Sequence, residues 1–370
     1  MSDDAARAAL IDAVQTNCDI ADARHAGDLT LCNYLLQMRE FFRWDRGLPY
    51  TAVLPRAEVG DWIARRERLW QAREHDALVG LPVPGAGAPL DAFATDAVNA
   101  HLLPLGLVYG AGRIAGRRPV FFLAHCHAAG HREGLRVLQA GRELARGLAA
   151  PPAALASGAD GPVVIRRESL ARSGWERYEA FALRPMPGSA YAAAWEAYGF
   201  AAGFDAALPR WLEDHTELAL LHELGEHRVG RRLGSRWQAM RASLPSRRGE
   251  LLAAALRDHL ADLETTLPAL LARGASPSLH AWFAAYDGLR EALFPGLRLA
   301  GRAWRAGDGG AGLDALIGPG REHFTRVAER ILALHEQAGD AAAARIESLL
   351  DSEEAVCRLT VNSTRRAGAR

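Results

Sequence analysis

Apolar and polar residues follow two different rhythms along the chain. In the first third, residues 4–25 and 29–43 read as two helices separated by Gly27, with Asp28 as the expected N-cap of the second. A third helix over 56–75 carries Val59, Trp62, Ile63, Leu69 and Trp70 on one apolar stripe, with arginines between them. Proline and glycine crowd 78–90, which marks a loop. The runs 105–109 and 120–124 then read as strands around a turn built from Gly110, Gly112, Gly116 and Pro119, and 162–165 as a further short strand. From about residue 187 the period becomes that of long helices: 189–203, 209–243 with a break near Gly225 to Gly234, 247–273, 277–304, 312–338 and 340–354.

This pattern predicts an α+β protein that is mostly α. Residues 1–150 form a mixed N-terminal region of helices and a small antiparallel sheet. Residues 151–186 connect, with a short strand and a helix, and 187–370 form an all-helical bundle. The Pro/Ala/Gly-rich run 149–161 is the expected linker or long surface loop.

Composition narrows the function classes. The 370 residues are 49% apolar, enough for real cores, and 44 basic residues balance 44 acidic ones. No basic surplus drives nucleic-acid binding, and Arg65, Arg66, Arg68 and Arg73 lie beside Trp62 and Trp70 of the apolar stripe, where core packing is the ordinary use and an anionic-ligand pocket the alternative. Lysine is absent, so every basic residue is an arginine, which excludes a lysine Schiff base and a P-loop lysine. Cys18, Cys32, Cys126 and Cys357 lie far apart with no C-x-x-C pair, as in a reduced protein. The acidic N-terminus lacks a signal-peptide core, and no stretch of about 18 residues is free of charge. A cytoplasmic, non-membrane protein is expected.

The segment from Trp211 to Gly230 concentrates ligand-type residues. His215, Ala219, His222 and Glu226 fall within roughly 60° on a helix, and His222 and Glu226 stand at i and i+4, where two side chains can converge on one ion. His215 lies about 10.5 Å from His222 along the axis, so it would serve a second ion, a substrate or a hydrogen bond. Glu223, beside the pair, is the candidate general base. The segment misses both H-E-x-x-H and H-x-x-E-H. The competing reading is an acidic, histidine-bearing surface helix with Glu223 and His227 as a solvated pair, or a buried polar network without metal.

Two other clusters invite the same question. On a continuing strand His125 and His127 point to one face, and His131 could fold back as a third imidazole ligand. A strand end whose histidines cap the next element is the plainer alternative. Cys18, Asp22 and His25 share one helix face, as do Asn33, Gln37 and Glu40. They read as hydrogen-bonded packing, with Cys18 a nucleophile only if His25 depresses its pKa. The glycine run Gly110, Gly112, Gly116 is followed by a strand and not by a helix, so it marks a hairpin and not a dinucleotide site.

Three segments, 17–24 (Asn17 to Arg24), 31–40 (Leu31 to Glu40) and 222–226 (His222 to Glu226), together resemble an uncharacterised bacterial family described only as a domain of unknown function. The resemblance spans most of the chain and implies no catalytic residue or substrate. From the residues themselves, the expectation is a metal-dependent enzyme, hydrolytic or redox, using iron, manganese or zinc on a small-molecule substrate. His222 and Glu226 would be ligands, with His125, His127 or the Cys18 face contributing. The alternative is a noncatalytic helical binding protein for a partner or a small anion.

Overall fold

The computed structural model describes residues 3–114, 118–151 and 161–360, of which 66% are helical and 12% strand. It divides into two compact units, one of Met1–Leu183 with Ala202–Thr216, the other of Arg184–Ala201 with Glu217–Arg370. The expected linker run falls mostly at 152–160, outside the described residues.

In the first unit, helices α1 (Asp3–His25), α2 (Leu31–Asp45), α3 (Arg56–Arg73) and α4 (Thr95–Leu102) precede strands β1 (Leu107–Ile114), β2 (Arg118–Arg132), β3 (Leu135–Arg146) and β4 (Val163–Arg166), and α5 (Arg167–Leu183) follows. The cap of α2 is Thr30, whose hydroxyl accepts from the Asn33 amide, and not Asp28. Asp28 sits in a 3₁₀ turn, where its carboxylate meets His25 Nδ1 at 3.1 Å.

The four strands form one sheet in the order β1-β2-β3-β4. β1 and β2 pair antiparallel as expected, but Gly110, Gly112 and Pro119 lie within the paired strands and not in a turn between them; residues 115–117 are outside the described residues. The sheet is mixed and not purely antiparallel, because β4 pairs parallel to β3. A parallel neighbour needs a return crossover, and the chain between Arg146 and Val163 supplies the length for one. Gly110 lies opposite Phe122, and any β-carbon there would collide with the Phe122 ring, so that glycine is a packing requirement.

Alternation along the strands gives the sheet two apolar faces. Tyr109, Phe121 and Leu123 pack on Leu10, Val14 and Cys18 of α1, whereas Val108, Phe122, Leu138 and Val164 form a cluster on the opposite face. A third cluster joins Phe41 and Phe42 of α2 to Trp62 and Trp70 of α3.

The remaining helices are α6 (Ala190–Tyr198), α7 (Phe204–Ala242), α8 (Arg247–Ala261), α9 (Leu267–Ala272), α10 (Ser276–Ala284), α11 (Gly288–Leu293), α12 (Pro295–Arg305), α13 (Ala311–Ala338) and α14 (Ala343–Leu350). Ser189 and Ser246 cap α6 and α8 through their hydroxyls. The expected break in α7 falls at Gly234, whose φ of 66° leaves the helical region. In the second unit, Trp237, Leu256, Phe294, Phe324 and Ile331 belong to one large core cluster. Among the described residues no strand follows β4, and no helix is long and apolar enough to cross a membrane.

Candidate metal centre

The centre is built where α7 and α8 pack in opposite directions. His222 of α7 meets Asp262, one turn further along Glu226 lies near Asp258, and Leu221 is bonded by Thr265. As one residue number rises the other falls, so the two helices run antiparallel. Gly225 makes the approach possible: a β-carbon there would stand 2.5 Å from the Ala261 carbonyl oxygen and closer still to the Thr265 hydroxyl. The Thr265 hydroxyl lies 2.8 Å from both the Leu221 and Ala261 carbonyls and donates to one of them. A π-helical turn at Asp262–Thr266 follows α8 here, an irregularity that often accompanies functional sites.

His222, Glu226 and Asp258 each offer one ligand atom, and the three atoms lie within 4.8 Å of one another. Among the described residues this is the one such group of three or more. His222 and Glu226 side chains are 27% and 20% exposed, so they are half-buried and not enclosed. His222 Nδ1 donates to Asp262 Oδ1 at 2.8 Å, which leaves Nε2 turned toward Glu226 Oε1 at 3.8 Å. Asp262, 2% exposed, is itself held by Trp282 Nε1 at 3.2 Å and by the Arg290 guanidinium. Arg257 Nη2 donates to Glu226 Oε1 at 2.5 Å.

The electrostatics follow from these contacts. Burial disfavours the imidazolium of His222, but Asp262, Glu226 and Asp258 outweigh it and raise its pKa to about 9. Burial would also raise Asp262, yet Arg290 and His222 hold it well below the carboxylate range. Glu223 has no such cation bonded to it; burial first, then Glu226, push it up to about 7. Asp258 is raised as well, mainly by burial.

The other sequence candidates lie elsewhere. His215 stacks on Trp211 with ring centroids 3.6 Å apart, and its Nδ1 meets the Trp211 carbonyl at 2.9 Å. His125, His127 and His131 lie exposed along β2, which continues through Arg132 in place of the expected loop. The register of β2 against β3 shifts repeatedly between Leu123 and Ala128, so the simple alternation assumed for His125 and His127 is broken there. His125 Nε2 accepts from Arg7 Nη2 at 3.2 Å. Among the described residues these three histidines form no convergent ligand group.

The α1 face is structural. Cys18 is buried and donates from Sγ to the Phe121 carbonyl, and burial with Asp22 and Asp19 raises its pKa well above the usual thiol value. Asp22 accepts from the Leu148 amide at 2.6 Å and pairs with Arg118 at 3.0 Å. Cys18 is therefore a buried thiol and not an activated nucleophile.

Sequence reasoning missed Asp258, Asp262, Arg257 and Arg290. The signal was present: Asp258 and Asp262 stand at i and i+4 on an expected helix, the same spacing as His222 and Glu226.

Fold and site together define a mixed α+β unit and a helical unit with a His/Glu/Asp cluster between two crossing helices. The models for the N-terminal and C-terminal domains of a family of unknown function, DUF6866, match residues 9–166 and 171–353, and the chain belongs to that family. No curated protein and no solved structure matches it.

Proposed function

We propose that His222 Nε2, Glu226 and Asp258 hold one divalent metal ion, and that the protein is a metal-dependent enzyme. The observation that carries the reading is the convergence of three ligand atoms within 4.8 Å, with the far nitrogen of His222 fixed by Asp262. A carboxylate on the second imidazole nitrogen orients the ring and raises ligand basicity, as in metal-binding histidines, and with a pKa of about 9 the ion binds by displacing the Nε2 proton.

One imidazole and two carboxylates suit zinc, manganese or iron, and three protein ligands leave coordination positions for water and substrate. Water activation is the chemistry this supports best, with hydrolysis of a small-molecule substrate as the reaction class. Glu223, adjacent to His222 on the half-buried face, is the general base in this reading. Family membership adds no activity.

Calorimetric titration of the chelator-stripped full chain with zinc or manganese tests it. The proposal expects one binding event per chain. Asp262→Asn should weaken that event by about tenfold to a hundredfold while keeping the helices folded, as expected for a group that orients a ligand. Glu223→Gln should retain the metal and lose hydrolysis of activated esters. Absence of any binding to the wild-type chain would overturn the reading.

A further inference from the structure

The first unit contains a cleft of about 890 Å³, in the size range of small-molecule sites and separate in sequence from the metal ligands. Its walls come from α2 and the segment after it, His127 of β2, β3, α5 and the start of α7. Arg167, Glu168, Ala171 and Arg172 occupy one face of α5, and Leu208 and Leu212, one turn apart on α7, form an apolar side with Trp44 and Tyr50 near α2.

Five arginines line the cleft, Arg43, Arg142, Arg146, Arg167 and Arg172, against four acidic residues, a formal surplus of 5 − 4 = +1. Most of the acidic oxygens are bonded within the protein, although Glu143 Oε2 has no hydrogen-bond partner. Glu143, fully buried, takes Arg166 Nε at 2.7 Å, Glu40 is bound by Arg39 and Arg43, and Asp45 accepts from Trp62 Nε1 at 2.9 Å. Burial and Glu143 raise Glu168 to about 7, which lowers the negative charge further near neutral pH.

Arg43, Arg167 and Arg172 are likewise paired, with Glu40, Glu213 and Glu176, which leaves Arg142 and Arg146. Arg146 has a side chain only 3% exposed, stands 3.4 Å from Glu143, and its Nη2 has no hydrogen-bond partner. A buried guanidinium N–H without an acceptor costs free energy, so the fold holds this donor in place at a standing penalty. Arg142, two strand positions before Leu144, is exposed and carries no ion pair among the described residues. Burial and the neighbouring Arg146 both lower the pKa of Arg172, the mark of like charges held together without full compensation.

We infer that this cleft binds a small organic anion, presenting a carboxylate or phosphate group to Arg142 and Arg146 and its apolar body to Trp44, Tyr50 and Leu212. Both anion classes match the planar guanidinium fork, which gives paired N–H donors to two oxygens.

Thermal shift and calorimetry on the full chain test this, with inorganic phosphate and succinate as probes. Chelator is present so that a metal-bound anion contributes nothing, and chloride keeps ionic strength constant. One or both probes should raise the melting temperature in proportion to the logarithm of concentration. A phosphate response alone assigns a phosphorylated ligand, and a succinate response alone a carboxylate. Arg142→Ala, at an exposed position where folding is not at stake, should weaken the responding probe at least about fivefold, and Arg146→Gln more. No response to either probe, or a response unchanged in Arg142→Ala, overturns the inference.

Discussion

Gly225 and Thr265 face each other with no room for a β-carbon between them, and this contact sets how closely α7 approaches the α8 end of the site. Gly225→Ala should therefore push the helices apart, costing about 1–3 kcal/mol by overpacking and lowering metal content with it. Gly230→Ala is the matched control. It lies in the same helix with nothing within 4 Å of the added carbon, so it should be neutral or stabilising by up to about 1 kcal/mol. Equal melting temperatures for the two variants would show that the helices do not meet at Gly225.

Arg257 competes for Glu226 in the metal reading, because its guanidinium already occupies Oε1. Arg257→Met removes that charge and keeps the aliphatic stem. Zinc affinity should rise about fivefold to tenfold, equivalent to roughly 1 kcal/mol. Weaker binding in this variant would make Arg257 a positioning group for Glu226 instead.

His215 links stability to pH. Burial foremost, with Arg177 adding, lowers its pKa to about 3 against the bond to the Trp211 carbonyl, so it is neutral in the folded protein. The unfolded chain binds a proton there near 6.5, hence stability falls as pH drops from about 6.5 toward 3. Since the residue is only half-buried, about 1 kcal/mol between pH 6.5 and 5 is the expected share, half the full linkage value. His215→Phe keeps the stack on Trp211 and should flatten that part of the profile in denaturant titrations. An unchanged slope would mean that His215 protonates freely in the native state.

The cysteines should react in order of burial. Cys32 is exposed, whereas Cys18 and Cys357 are buried and burial raises both thiols, Cys357 to about 11. A thiol reagent at pH 8 should modify Cys32 first and leave Cys18 and Cys357 untouched until denaturant is added. Rapid labelling of Cys18 in the native protein would contradict its burial behind the sheet.

Much of this architecture was legible because periodicity reports burial. The stripe of Trp62 and Trp70 is indeed core, and beyond residue 187, where the period changes, only helices follow among the described residues, although the last strand already ends at Arg166. What escaped were features set by tertiary contact. β3 carries no clear strand pattern, although Leu135, Val137 and Leu138 are apolar, because arginines and glutamates punctuate it; Arg146 and Glu143 are buried together. The parallel pairing of β4 depends on a crossover that no local pattern encodes. In the site, spacing identified His222 and Glu226, yet their partners come from another helix 30–40 residues away in the chain. Spacing on one helix fixes which residues share a face, and only packing decides what that face meets.

Metal content of the untagged full chain after metal-replete expression, measured beside Asp258→Asn, tests the central claim most directly. The account predicts about one iron, manganese or zinc per wild-type chain and loss of most of it in Asp258→Asn, with both proteins equally helical. A wild-type chain that carries no metal, or an Asp258→Asn chain that carries as much as wild type, would contradict it.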